Sequence, residues 1–449
     1  MTAENSSSAG RDSAPGSQPG SPRGGRGVLR LSRQSHMFRP LHALQQLRSS
    51  SGRKLLWVAL LYFAQGLPFG IFQEALPVYF RVHGVSLKQI GFFSLLGLPW
   101  SAKVFWSPLV DRFGRMQVWI LVPLLAMAAL LLAIPSLDPA HPSLWLWTAL
   151  LAFTMASATQ DIAIDGYTIG FVDRRQMGTA NGIRVSAYRV ALILGGGGLV
   201  ALAGTLSWRT LFAVTALVFV ALAASVAFTP RIPRDPAERR DPIRPLLRWL
   251  RRPAAPAALA FILVYKLGDS AMGPMVRPFW VDRGMSLFEI GMITTTFGVF
   301  ASIVGALAGG WLTSRIGILR GLWVLGLFQA ISNLVYAGVA LAGGGRAGIY
   351  TASLFESFSS GLGTAAFLAF LMSICERDHA ATQYALLSAL FGFTRSIAGG
   401  LSGWGTERMG YAPYFAFTFL LALPAYALLP WVSRYLRAAR AETEGEAGG

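Results

Sequence analysis

Charge is what this 449-residue chain has least of: Asp, Glu, Lys and Arg together make up 13% of it, against 53% hydrophobic residues and a mean hydropathy of +0.49. A soluble globular domain carries roughly a quarter charged residues, so that class is excluded and a polytopic membrane protein is implied. The single cysteine, Cys375, excludes a disulfide within the chain. There is no GxxxxGK[ST] phosphate loop, which argues against ATP hydrolysis, so any transport the chain performs should be secondary. Lysine is scarce as well, four residues against 35 arginines. Residues 1–50 are rich in Ser, Gly, Pro and Arg but have no apolar run, so they read as a disordered tail rather than a signal peptide.

What remains is a series of twelve apolar stretches between Leu55 and Val432. Each is about 20 residues, enough for a helix to cross a hydrocarbon core of roughly 30 Å. The third, sixth, ninth and twelfth (117–135, 210–229, 321–342 and 414–431) contain no acid or base. The first, fourth, seventh and tenth do: Glu74, Asp161 and Asp165, Lys266 and Asp269, and Glu356. A charge inside a membrane helix costs roughly 2.5–3.5 kcal/mol on insertion scales and is tolerated where the helix faces water. One helix in three is therefore expected to face lipid and another a wet interior.

The net charge of +18 invites a nucleic-acid reading, but the basic residues sit in alternate loops and both tails, as the positive-inside rule demands. Arg-rich stretches before segment 1 and between segments 6 and 7 are expected on the cytoplasmic side, and an even number of crossings returns the C-terminus there. Trp57, Trp100, Trp145, Trp208, Trp280 and Trp431 lie near segment ends, where an interfacial aromatic belt would put them. The expected layout is a cytoplasmic tail (1–50), a six-helix bundle (51–229), a cytoplasmic linker (230–254), a second six-helix bundle (255–437) and a tail (438–449). The expected setting is a monomer in the cytoplasmic (inner) membrane, whose partners are lipid, a small solute and protons, with no nucleic acid, cofactor or metal.

The two halves repeat. Gly84, Ser86, Leu87, Ile90 and Gly91 recur 200 residues later as Gly284, Ser286, Leu287, Ile290 and Gly291. Further on the offset is 203: Asp111-Arg112-Phe113-Gly114 pairs with Ser314-Arg315-Ile316-Gly317, Asp173-Arg174 with Glu376-Arg377, and Thr179 with Thr382. Six crossings repeated in one orientation give two parallel bundles with the substrate site between them near the midplane. The loops Ser107–Arg115 and Gly310–Gly317 resemble the Gly-x-x-x-Asp-Arg-x-Gly-Arg signature of the major facilitator superfamily. That resemblance implies a cytoplasmic latch between the bundles, with Asp111, Arg112 and Arg115 as gating residues. The plainer reading of the same loop is a polar turn with topogenic arginines.

A narrower resemblance rests on Phe93–Pro99 with Phe105–Arg112, on Ala158-Thr159-Gln160-Asp161-Ile162-Ala163-Ile164-Asp165-Gly166-Tyr167, on Tyr188-Arg189 and on Tyr265–Asp269. These are similar to the AmpG-type muropeptide permeases, and the Gln-Asp-Ile-Ala-x-Asp-Gly run also to acetyl-coenzyme A transporters. The resemblance implies proton-driven import of anhydro-muropeptides or a related bulky anionic solute, with an acyl-thioester as the alternative cargo. An intramembrane enzyme is the competing class, since paired aspartates on one helix also suit hydrolysis; the six-plus-six repeat argues against it.

Asp161 and Asp165 stand four residues apart, so they share one helix face, where two carboxylates cannot both ionise cheaply. With Asp269 they are the candidates for proton coupling; the alternative is that basic partners hold them to fix packing. Gln65, Gln160, Lys266, Arg189, Glu356 and Arg395 are the candidates for binding the solute: Lys266 because lysine is a switchable cation and two of the chain's four, Lys103 and Lys266, lie inside apolar segments, its i,i+3 pairing with Asp269 being the plainer structural reading, and the arginines because a guanidinium forks onto carboxylate or phosphate. Gln65-Gly66-Leu67-Pro68 and Gly273-Pro274 are expected to kink or open segments 1 and 7. Gly195-Gly196-Gly197-Gly198 reads as close helix packing.

Overall fold

The computed structural model describes residues 50–172, 177–230, 255–375 and 380–447. The expected N-terminal tail up to 49, the linker over 231–254 and the repeat residues Asp173, Arg174, Glu376 and Arg377 lie outside them. Among the described residues every element is helical, and consecutive helices join into twelve rods. These are α1 (Gly52–Val82), α2 (87–112), α3 (Met116–Ser136), α4 (Leu144–Phe171), α5 (Thr179–Leu202) and α6 (Trp208–Ala227). The second set is α7 (Ala255–Asp282), α8 (Leu287–Ile316), α9 (Ile318–Leu341), α10 (Arg346–Ser373), α11 (Ala380–Met409) and α12 (Tyr411–Ser433), the last running on as helix to Ala447 through the expected tail. Nine are long and apolar enough to span a bilayer on length and composition alone. The other three, α2, α4 and α11, carry Lys103, the Gln160–Asp165 run and Arg395, whose polarity lowers their hydropathy.

The sequence repeat is also a backbone repeat. Gly84 and Gly284 end α1 and α7 with φ of +81° and +69°, a conformation that favours glycine. Two residues later Ser86 and Ser286 each cap the next helix in a reciprocal box with Gln89 and Glu289. Gly114 and Gly317, 203 residues apart, again both have positive φ.

α3, α6, α9 and α12 expose large apolar side chains such as Val122, Leu217, Trp323 and Leu420, the surface expected of lipid-facing helices. Trp145 and Trp431 are exposed near helix ends, but Trp280 is fully buried and so is no belt residue. Its ring sits 6.4 Å from that of Tyr350, inside the contact of α7 with α10. The helices cross on glycine. A Cβ on Gly291 of α8 would fall 2.6 Å from the Ala201 nitrogen of α5, and one on Gly195 2.8 Å from the Leu67 carbonyl of α1, so the four-glycine run does serve close packing.

The apolar core is joined at one end and divided at the other. One cluster runs through α1–α6 and takes in Met272, Phe279 and Trp280 of α7, Tyr336 of α9 and Phe415 of α12. A second belongs to the later helices alone, built on Phe261, Tyr265, Leu325, Phe367, Phe370 and Leu429. The halves are thus fused where α1 and α7 end and have separate cores where α7 begins.

Candidate functional site

Polar groups gather on the inward faces of α1, α2, α4, α5, α7, α10 and α11. α4 holds the densest group because the Gln160–Asp165 run brings side chains one turn apart onto one stripe. Asp161 is buried and Lys103 of α2 donates its ammonium to Oδ2 of that carboxylate. One turn on, Oδ1 of Asp165 accepts the Tyr62 hydroxyl at 2.7 Å from α1, and the Arg184 guanidinium of α5 stands 3.4 Å away, stacked over the Tyr62 ring. The two aspartates therefore share a face as expected but are held by different cations from different helices. Among the described residues the fully buried Gln160 has no partner for either end of its amide, and Gln65 none for its carbonyl oxygen. Buried amides of this kind are a cost unless a further partner arrives.

In the other half, α7 is broken at Lys266, which takes a non-helical conformation (φ −103°, ψ 11°) between helices Ala255–Tyr265 and Leu267–Asp282. The opening expected at Gly273-Pro274 is not there; the helix continues through Pro274 and Pro278, and the break falls two turns earlier. In α1 the backbone stays helical through Pro68 and widens into a π-turn at Ile71–Ala75. The Lys266 ammonium donates to Thr364 of α10 at 2.9 Å and to Asp269 at 3.3 Å, so the predicted pair is formed and tied to a neighbouring helix. Glu356, also on α10, has only the adjacent Ser357 hydroxyl at 3.4 Å, and no cation within ion-pairing distance among the described residues.

Two contacts bridge the halves in this region. Arg277 of α7 grips Glu74 of α1 with both arms of its guanidinium, at 2.8 and 2.6 Å. Arg395 of α11 donates to the Gln73 amide oxygen at 2.9 Å and lies over the Phe69 ring at 5.6 Å. Nearer the helix ends, Arg81 and Asp282 form a second bidentate pair at 2.6 Å, and the Tyr411 hydroxyl also donates to Asp282. Arg189 is half-buried with no hydrogen bond or ion pair to protein among the described residues. Arg112 and Arg115 are exposed at the opposite end, where Arg112 stacks on its neighbour Phe113; the side chain of Asp111 lies outside the described residues.

Sequence reasoning found the acids and missed most of their partners. Arg277 and Arg184 stand close to the ends of their segments and look like interfacial anchors there. Tyr62 looks like part of an apolar face. In both cases only the packing of one helix on another turns them into site residues.

The comparisons with known proteins agree with this architecture. The sequence profile of the Major Facilitator Superfamily matches residues 10–196 and 58–267. The chain is 32% identical to the anhydromuropeptide permease of Escherichia coli K12, over 82% of this chain and 78% of that protein. It is also 32% identical to an uncharacterized protein of Haemophilus influenzae, over 85% of this chain and 95% of that one. Among solved structures, a bacterial homolog of the human lysosomal transporter Spinster, inward-facing and unoccupied, superposes with a TM-score of 0.69 at 14% identity, covering 87% of this chain and 98% of that one. The nucleoside transporter NupG gives 0.65 at 14% identity, covering 86% and 98%. These two share the fold. The chain is a multi-pass membrane transporter and not an enzyme. It belongs to the major facilitator superfamily, in the AmpG-type permease branch.

Proposed function

We propose that this transporter imports anhydro-muropeptides, or a closely related bulky anionic solute, in symport with protons. The observation that carries the reading is Arg395. Its guanidinium is held by a neutral amide and an aromatic face instead of a carboxylate, so its charge stays available to an anion beside the ion pairs of Asp161, Asp165, Asp269 and Glu74. Arg189, equally without a carboxylate, is the second anchor, and Gln65 and Gln160 offer amide groups to the sugar and peptide portions. That the cargo is of this class draws on the identity with the E. coli permease.

In this reading the chain crosses the membrane twelve times with both termini cytoplasmic, as two six-helix bundles over 51–229 and 255–437. The fused end then faces outward and the divided end is open to the cytoplasm. Arg112 and Arg115, exposed at that end, belong with Asp111 to a latch that closes when the carrier opens outward. Proton coupling runs through Asp161. While ionised it holds Lys103; once protonated it releases the ammonium, which becomes free for an anionic cargo. Solute and proton are thereby bound together. Asp165 and Asp269, each with its own cation, complete the balanced charge of the cavity.

Proteoliposomes loaded with the purified protein test this directly. Labelled anhydro-muropeptide should accumulate under an inward proton gradient and stop doing so with a protonophore, and Asp161→Asn should reduce accumulation to that of empty vesicles. Labelled acetyl-coenzyme A, offered in parallel, separates the cargo classes. Accumulation of the acyl-thioester alone would replace the proposed cargo, and wild-type accumulation by the Asn variant would remove Asp161 from the coupling.

A further inference from the structure

We infer that Arg277 changes carboxylate partner during the transport cycle, from Glu74 on α1 to Glu356 on α10, and that a proton on Glu356 decides which one it holds. The inference deepens the proton symport proposed above and gives Glu356 a coupling role instead of the solute contact expected from sequence.

Glu74 and Arg277 belong to different halves. Opening the fused end must separate α1 from α7 and break this pair. Arg277 would then be a mostly buried cation, its side chain 22% exposed, with its only carboxylate removed, a state that costs about 3–5 kcal/mol where it goes uncompensated. A replacement stands in the same half. Lys266 touches Thr364 and Trp280 faces Tyr350, contacts separated by the same number of residues on each helix, which fixes the antiparallel register of α7 on α10. That register sets Glu356 opposite Pro274, one turn of α7 before Arg277. The turn itself is roomy: an added Cβ at Gly273 would meet nothing within 4 Å.

The groups facing Glu356 are few. Arg277, Asp269 and Lys266 act on it from α7 and Tyr336 from α9, while α8 offers only Gly298 against Ser357. Lys266 is already committed to Asp269 and Thr364. Among the described residues Arg277 is thus the cation placed to swing to it. In the closed arrangement Glu356 has no cation partner among the described residues, and in the inferred cycle it carries a proton there; when it gives that proton to the cytoplasm, its carboxylate draws Arg277 off Glu74 and the outer end is freed. A proton arriving from outside neutralises Glu356 again, returns Arg277 to Glu74 and shuts the outer end behind the cargo. At Glu356 one proton is taken up outside and released inside per cycle, in addition to the proton proposed for Asp161.

The test measures opening of the fused end. Spin labels at Leu206→Cys and Leu341→Cys, both exposed and on opposite halves, are introduced into full-length Cys375→Ser protein in proteoliposomes, and their separation is followed by double electron–electron resonance from acidic to mildly alkaline buffer. With Glu356 intact, the ratio of open to closed outer end should rise with pH, by at most about tenfold per pH unit, the limit for one linked proton. Glu356→Gln should stay closed at every pH, and Glu356→Asp should keep the response. Glu74→Gln, which deprives the closed form of its carboxylate, should be more open than wild type throughout. A Glu356→Gln protein that retains the wild-type pH response, or a Glu74→Gln protein as closed as wild type, overturns the exchange. A wild-type ratio indifferent to pH overturns the exchange but not the coupling through Asp161, which the uptake assay tests, whereas failure of muropeptide uptake with the pH response intact leaves the exchange standing.

Discussion

At the scale of single residues, the decisive feature is a lysine and an aspartate that meet inside apolar helices. Lys103 and Asp161 come from α2 and α4, with side chains 32% and 13% exposed. Breaking such a pair from one side leaves an uncompensated charge, about 3 kcal/mol given the partial exposure of the lysine, whereas neutralising both sides costs far less. Lys103→Met is accordingly expected to lower the unfolding temperature of the detergent-solubilised protein more than Lys103→Met combined with Asp161→Asn. Equal additive losses in the double variant would show that the two do not interact. That both residues matter was legible in the sequence, since ionisable groups are expelled from apolar runs unless something holds them. Their pairing was not, because it depends on how α2 lies against α4. For the same reason Asp165 was visible from its spacing and its partners Tyr62 and Arg184 were not.

At the scale of elements, hydropathy marks the rods well and their defects poorly. Of the kink or opening expected at Gly273-Pro274, the opening is absent, since proline inside a membrane helix removes a single hydrogen bond that neighbours can make good. The chain instead leaves helical geometry at Lys266, where an ammonium finds Thr364 and Asp269 off the helix axis. Glycine was read more successfully, as packing. Gly291 lies against the backbone of α5, while Gly310, on the same helix, has nothing within 4 Å of an added Cβ. Gly291→Ala should therefore cost about 1–3 kcal/mol through overpacking. Gly310→Ala should be neutral or stabilising by up to about 1 kcal/mol from helix propensity. Thermal unfolding of the two variants side by side provides the measurement, and matching melting temperatures would refute the seam.

At the scale of the molecule, the duplicated sequence made the two-part plan readable, down to the serine caps that recur at Ser86 and Ser286. Which end is joined could not be read, since the repeat is equally compatible with either arrangement; side-chain pairing across the halves decides it. Arg81 and Asp282 lie at the joined end, and their removal weakens that arrangement alone. Arg81→Gln is expected to raise the rate at which a cysteine placed at buried Val85 reacts with an impermeant maleimide, with little change in overall folding. An unchanged rate would mean that the apolar contacts around Phe279 suffice to keep that end shut.

The two bidentate pairs differ in how they feel the surrounding electrolyte. Arg81 and Asp282 lie at the helix ends, where Asp282 is exposed, and mobile ions screen charges over roughly 8 Å at physiological ionic strength. Glu74 and Arg277 sit deeper, behind them. Brine outside the vesicle should thus loosen the outer clasp while sparing the inner one, so that salinity biases the resting orientation of the carrier without any salt-binding site.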